Sequence, residues 1–140
     1  MKKLTAAAAK KLVKDLENAM DKGTARLLVN TQSKLSASSP VKSGRLASSW
    51  MIGHNSMDTS VAPERKKGES YVEIKEYSGE ITFDGDWHIS NNLPYAERAA
   101  LDPGYVGRRG GGAGDWFTSI ENNLPRNAKR AFDYFLNNVK

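Results

Sequence analysis

Apolar residues recur at three- and four-residue steps through the first quarter of the chain, and this spacing places them along one face of an α-helix. The residues that share it are Leu12, Leu16, Met20, Gly23 and Leu27. The pattern predicts a long helix from about residue 5 to residue 35, so that the first segment of the chain spans residues 1–36. We expect this face to contact the core or another subunit. A glycine inside a helix costs about 1 kcal/mol relative to alanine, so Gly23 indicates close packing or a local bend.

The long helix is predicted to end before Pro40, because the residue that precedes a proline resists the helical conformation. Ser43 is a suitable N-cap for a short helix from Gly44 to about Trp50, within residues 40–50. Leu46 and Trp50 lie one turn apart in this prediction. The short helix separates the long helix from the elements that follow.

Alternation of apolar and polar residues predicts an antiparallel sheet within residues 50–92. One strand can begin at residues 50–52, and a polar loop over residues 55–68 follows it. The apolar positions of three further strands are Val72 and Ile74, then Ile81 and Phe83, then Trp87 and Ile89. Asp84 and Gly85 form a strong hairpin signal between the last two. We therefore expect three strands, or four with the one after Trp50, apolar on one side only.

Two helical segments and one loop complete the prediction. Residues 95–100 suggest a helical turn, whereas residues 107–114 are too rich in glycine for a regular element, given the backbone entropy that they would lose. Residues 115–138 keep helical spacing, with Pro125 as a kink or as the start of a second helix. The predicted fold is α+β in a single domain over residues 1–140, with a long N-terminal helix, a small antiparallel sheet and a C-terminal helix.

Composition narrows the class of protein. The chain has 140 residues, of which 39% are hydrophobic and 26% charged, and this balance is typical of a globular domain. It has no cysteine, so disulfides, thiolate metal sites and cysteine nucleophiles are excluded. No stretch approaches the roughly 20 apolar residues of a membrane span, and lysines interrupt the apolar start, so we expect a soluble chain that is not exported. The net charge of +5 permits contact with nucleic acid.

The sequence predicts no catalytic, cofactor or metal site. His54 and His88 lack a second metal ligand at helical spacing, and no serine lies in a Gly-x-Ser-x-Gly turn. Asp84 and Asp86 flank Gly85, where turn formation explains them better than acid–base catalysis. We therefore expect a protein that is not an enzyme.

The glycine-rich segment leaves two interpretations open. It precedes a helix but lacks the Gly-Lys-Ser/Thr of a phosphate-binding loop. It either orders only on assembly, or contacts an anion directly through Arg108 and Arg109, which suit phosphate or an acidic partner.

Two short motifs resemble the tail-completion, or neck, proteins of tailed bacteriophages. Residues 39–46 have the sequence Ser-Pro-Val-Lys-Ser-Gly-Arg-Leu, a Ser-Trp pair follows at residues 49–50, and residues 93–96 have the sequence Leu-Pro-Tyr-Ala. The motif residues are Pro40, Val41, Ser43, Gly44, Leu46, Trp50, Tyr95 and Ala96. Lys42 stands where the family has an acidic residue, and Ser43 where it has threonine. In such proteins these motifs belong to the scaffold.

The resemblance implies a structural protein of the virion, made in the host cytoplasm. Copies of the chain would form a ring, expected to be a hexamer, at the head–tail junction, through head-to-tail contacts between subunits. The ring would contact other junction or tail-tube proteins and let DNA pass without sequence-specific binding. The alternative is a basic nucleic-acid-binding module, which the net charge and Arg108 and Arg109 favour.

Overall fold

The computed structural model describes residues 5–39, 45–63, 74–101 and 115–139. The elements in these ranges are α1 (Ala6–Ser38), α2 (Arg45–Ser48), β1 (Trp50–His54), β2 (Trp87–Asn91), α3 (Ala96–Leu101) and α4 (Asp115–Leu136). The α+β class, the long N-terminal helix, the antiparallel sheet and the C-terminal helix are thus confirmed. The glycine-rich segment at 107–114, with Arg108 and Arg109, lies outside the described residues.

Helix α1 is bounded by hydroxyl side chains at both ends. Thr5 is extended, and its Oγ1 accepts a hydrogen bond from the Ala8 backbone N–H at 3.0 Å, as an N-cap does. At the other end Ser39 Oγ donates to the Leu35 carbonyl at 2.6 Å, and the Ser39 backbone N–H donates to the same carbonyl. The helix therefore extends three residues beyond the predicted end at residue 35.

The buried face of α1 begins later than the sequence pattern predicts. Its buried residues are Ala19, Gly23, Thr24, Leu28, Thr31, Gln32 and Leu35. Leu12 and Leu16 belong to the predicted face, yet they are 38% and 39% exposed. They are not part of the face that is buried within the subunit, because the described elements cover that face only from Ala19 onward. Contact of this part of the face with another subunit stays a prediction.

Helix α4 packs along α1 in the opposite direction. Phe132 contacts Gly23, whereas Phe117, near the start of α4, lies beside Trp50 at the other end of α1. Pro125 is inside this helix and does not start a second one. Residues on both sides of Pro125 pack on α1, so both halves of α4 lie against the same helix.

Within the described residues the sheet has two strands, fewer than the three or four predicted. β1 and β2 pair antiparallel, with Trp50 opposite Asn91 and His54 opposite Trp87. Residues 74–86 contain no strand, so the alternation at Ile81 and Phe83 does not mark one, and Val72 lies outside the described residues.

The backbone of residues 74–86 forms hydrogen bonds with side chains of α1 where a strand would bond to a neighbouring strand. Gln32 Nε2 donates to the Lys75 carbonyl at 3.1 Å, and Asp21 Oδ1 accepts from the Phe83 N–H at 3.0 Å. The segment thus follows α1 and leaves the sheet. Gly85 does have a positive φ of 79°, as its predicted turn requires, but the turn does not join two adjacent short strands.

A small core joins α2 to α3. Leu46, Leu93 and Ala99 are buried together. The short helix ends at Ser48, before the predicted end at Trp50, because Trp50 is the first residue of β1. The predicted cap Ser43 lies outside the described residues.

Candidate assembly surfaces

Residues of the two short motifs, at 39–46 and 93–96, meet in one cluster. Leu46, from the first motif, is 4% exposed and packs in the cluster to which Tyr95 and Ala96, from the second, also belong. Asn91 Nδ2 donates to the Leu46 carbonyl at 2.8 Å and ties β2 to α2. These residues therefore serve as scaffold that connects α2, β2 and α3. The other residues of the first motif, Pro40, Val41, Ser43 and Gly44, lie outside the described residues.

Trp50 connects β1 to both long helices. It is 5% exposed, and its Nε1 donates to Ser39 Oγ at 2.8 Å. Its carbonyl accepts from Gln32 Nε2 at 2.7 Å. Its ring lies 6.2 Å from the rings of both Trp116 and Phe117 on α4, edge-on to the former and nearly parallel to the latter. The side chain thus fixes the relative positions of α1, β1 and α4, which is a packing role.

Ser49 connects the segments before and after β1 by hydrogen bonds. It was not among the residues to which the sequence assigned a role. It is fully buried, and its Oγ donates to the Arg45 carbonyl at 2.7 Å and accepts from the Ala62 N–H at 3.0 Å. Arg45 Nε donates in turn to the Ala62 carbonyl at 2.7 Å. The only signal in the sequence was its position before Trp50 in the Ser-Trp pair. The hydrogen bonds hold the segment that contains Ala62 against α2.

The histidines make structural contacts. His54 Nε2 lies 2.7 Å from the Asp84 carbonyl, and its ring stacks on Trp87 with centroids 4.1 Å apart. His88 lies opposite Gly53 in the sheet. Within the described ranges, no three His, Cys, Asp or Glu side chains are close enough together to hold a metal ion.

Asp58 anchors the polar segment after β1. Hydrogen bonds from the Ser60 hydroxyl and then the Ser60 N–H lower the pKa of its carboxyl, and Lys75, whose Nζ lies 3.7 Å away, acts in the same direction. The Asp58 carbonyl accepts from Ser90 Oγ at 3.3 Å and Asn92 Nδ2 at 3.2 Å, next to β2. This part of the predicted polar loop over residues 55–68 is therefore held against the sheet.

An apolar cavity of about 390 Å³ lies between β2 and the two long helices. Leu28 and Leu35 of α1, Trp87 and Ile89 of β2, and Phe117 of α4 are among its walls. The apolar side of β2 faces this cavity, and its residues are only partly buried. The two-stranded sheet thus covers the α1–α4 pair incompletely.

The N-terminal turns of α1 carry an exposed apolar surface. Ala9, Leu12, Val13 and Leu16 lie at steps of three, one and three residues, so they share one side of the helix. We call this set the N-terminal stripe. Leu12, Val13 and Leu16 are 38%, 54% and 39% exposed. The stripe continues, toward the N-terminus, the face that Ala19 and Gly23 bury.

No helix in the described part of the chain is both long enough and apolar enough to cross a membrane. Comparison with family models, with curated proteins and with solved structures finds no match to this chain.

Proposed function

We propose that this protein is a structural subunit that assembles with copies of itself into a ring at the head–tail junction of a tailed phage. The single observation that carries the assembly part of this proposal is the exposed N-terminal stripe of α1. The virion part is supported by the resemblance of residues 39–50 and 93–96 to neck and tail-completion proteins. The neighbours of the ring would be other junction or tail-tube proteins, and DNA would pass through it.

The stripe is suited to a second copy of the chain because it extends an existing helix-packing face. From Ala19 onward the same side of α1 is buried against the rest of the subunit, and Gly23 allows α4 a close approach. Toward the N-terminus the apolar spacing continues, but the described residues do not cover it. Another helix can therefore extend the same kind of packing there. In a ring of head-to-tail contacts, one surface of each copy meets a different surface of the next.

The expected strength of this contact is modest. Complete burial of a large aliphatic side chain is worth about 1.5–3 kcal/mol. Leu12, Val13 and Leu16 are each about half exposed, so covering all three contributes roughly 2–4 kcal/mol. Even the upper value, taken as the whole binding free energy, corresponds to a Kd of about 1 mM. Association also costs translational and rotational freedom, so this contact alone would hold two copies together only at high concentration. Ring closure and neighbouring virion proteins would add the remaining contacts.

Light scattering across a concentration series tests the assembly. We expect a species of about six times the chain mass to increase with concentration, since a closed ring is a typical product of head-to-tail contacts. Val13→Asp should abolish it, because it places a charge in the stripe. Val29→Asp is the matched control, because Val29 lies on the same helix, outside the stripe, and is 48% exposed against 54% for Val13.

Either of two outcomes would contradict the assembly proposal. One is a monomer at every concentration, both alone and with purified junction and tail-tube proteins. The other is equal loss of assembly in the Val13 and Val29 variants, because the stripe would then have no special part. The virion role is tested separately, by electron microscopy of particles made without this chain, which should show heads and tails that fail to join.

A further inference from the structure

A basic cleft lies between α1 and α4, away from the N-terminal stripe. Its volume is about 180 Å³, and its walls include Arg26 and Lys34 from α1 and Arg130 from α4. The amides of Asn30 and Asn127 also line it, and no carboxylate of the described ranges does. A site of this composition offers hydrogen-bond donors and positive charge to an anion.

Among the described residues, none of the three cations has an acidic partner at salt-bridge distance. The salt bridges between described residues join Lys75 to Asp58 and Lys129 to Asp133, and neither involves the cleft. Arg26 instead lies over the ring of Tyr134, with its Cζ 4.5 Å from the ring centroid. A cation–π contact of this kind orients the guanidinium plane and leaves its N–H donors available. The side chain is thus positioned without being neutralised.

The positive charge continues beyond the cleft along α1. Lys22, Arg26, Asn30 and Lys34 follow each other at four-residue steps, so they lie along one ridge of the helix. This ridge is about 18 Å long at about 1.5 Å per residue. A single small anion would occupy only the cleft, whereas a repeating anion can follow the whole ridge.

We propose that the cleft and this ridge bind the phosphates of a nucleic-acid backbone, without reading its sequence. A guanidinium group can donate two parallel hydrogen bonds to the oxygens of one phosphate. The amides of Asn30 and Asn127 add neutral donors. The net charge of +5 favours the approach of so dense a polyanion. The site does not depend on ring assembly, and it uses neither Arg108 nor Arg109.

Binding of the full chain to a fluorescently labelled DNA duplex, followed by anisotropy, tests the proposal. In a salt series of about 50–200 mM, the logarithm of the binding constant should fall linearly with that of the salt concentration. The Arg26→Gln and Arg130→Gln double variant should bind about tenfold more weakly at the lowest salt, and its slope should be smaller by about 2. The matched control is Lys75→Gln with Lys129→Gln, which removes the same charge outside the cleft and should weaken binding less than about twofold.

Further variants and a competition experiment distinguish phosphate binding from misfolding, from loss of assembly and from binding of an acidic protein. Arg26→Lys with Arg130→Lys keeps the charge and should keep the salt slope, and unchanged thermal unfolding of all variants excludes misfolding. Val13→Asp should retain binding, which separates this proposal from failure of the assembly proposal. Equal loss in the two Gln double variants, or no binding by the unaltered chain, would overturn the proposal. Equally effective competition by polyglutamate would also overturn it, in favour of an acidic protein partner.

Discussion

Replacing Gly23 by alanine adds a methyl group where α1 and α4 have no room for one. A Cβ built at Gly23 would lie 2.4 Å from Phe132 Cδ1, 2.9 Å from Cε1 and 3.2 Å from the Phe132 Cα. The ring of Phe132 can rotate away, but its Cα belongs to the backbone of α4. The two helices must therefore separate by a few tenths of an ångström before the methyl group fits.

Two opposing contributions set the size of the effect. Alanine in place of glycine stabilises the interior of a helix by about 1 kcal/mol. Overpacking a tight interface costs about 1–3 kcal/mol. We expect the clash to exceed the gain, so Gly23→Ala should lower the free energy of unfolding by about 1 kcal/mol, and the melting temperature by about 3–5 °C. Ser33→Ala, at an exposed position of the same helix, should raise stability by a few tenths of a kcal/mol.

A double-mutant cycle assigns the cost to Phe132. In a Phe132→Leu background the ring is gone, so Gly23→Ala should become neutral or stabilising, with a coupling energy of about 1–2 kcal/mol. Urea unfolding followed by circular dichroism measures all four proteins. The reasoning is refuted if Gly23→Ala raises the melting temperature of the otherwise unaltered chain, or if the coupling to Phe132 is zero.

Two further predictions concern polar contacts that hold the segments around the sheet. Gln32→Leu should lower the unfolding free energy by about 1–3 kcal/mol, because the Trp50 and Lys75 carbonyls lose their shared donor; an unchanged urea midpoint would contradict this. Asp58 has a lowered pKa, so its carboxylate stabilises the fold above its unfolded pKa of about 3.9, and this contribution disappears as the pH falls through the folded pKa. The stability difference between the unaltered chain and Asp58→Ala should therefore shrink from pH 6 toward pH 3, and a constant difference would exclude the hydrogen bonds from Ser60 as its source.

The long helices were predictable because their information is local. The spacing of apolar residues fixes the helical segments, and Thr5 provides a cap by its own side chain. Whether a residue is buried depends on elements that are distant in the sequence, and not on the local spacing. Leu12 and Leu16 satisfy the same spacing as Gly23, and only the position of the other elements decides that they are exposed. The spacing therefore located the helix, whereas of the five residues in the predicted face only Gly23 is buried in the described part of the subunit.

The failed strand prediction has a similar cause. Ile81 and Phe83 alternate as strand residues do, but the backbone of their segment bonds to Asp21 and Gln32 on α1. Nothing in the alternation itself distinguishes a neighbouring strand from a helix side chain as the hydrogen-bond partner. Partners more than 40 residues distant in the chain supply that distinction, and a single sequence does not reveal them.

The basic cleft was not predicted either, because its residues are distant from one another in the sequence. Arg26 and Lys34 lie on α1, whereas Arg130 lies near the end of the chain on α4, and only the packing of the two helices brings them together. Arg108 and Arg109 drew attention in the sequence because they are adjacent and lie in a glycine-rich segment. A signal for the cleft was nevertheless present in the spacing of Lys22, Arg26 and Lys34, whose steps of four and eight residues place them on one ridge of α1.

The pairing of the first helix with the last has a consequence for synthesis on the ribosome. α1 ends at Ser38 and its partner α4 ends at Leu136, so roughly 100 more residues must be translated before the pair can form. At about 5–20 residues per second this takes about 5–20 s. Throughout that interval the face around Gly23 and the N-terminal stripe are exposed together on one nascent helix. Chaperones and copies from neighbouring ribosomes therefore meet a longer apolar surface than the finished subunit presents.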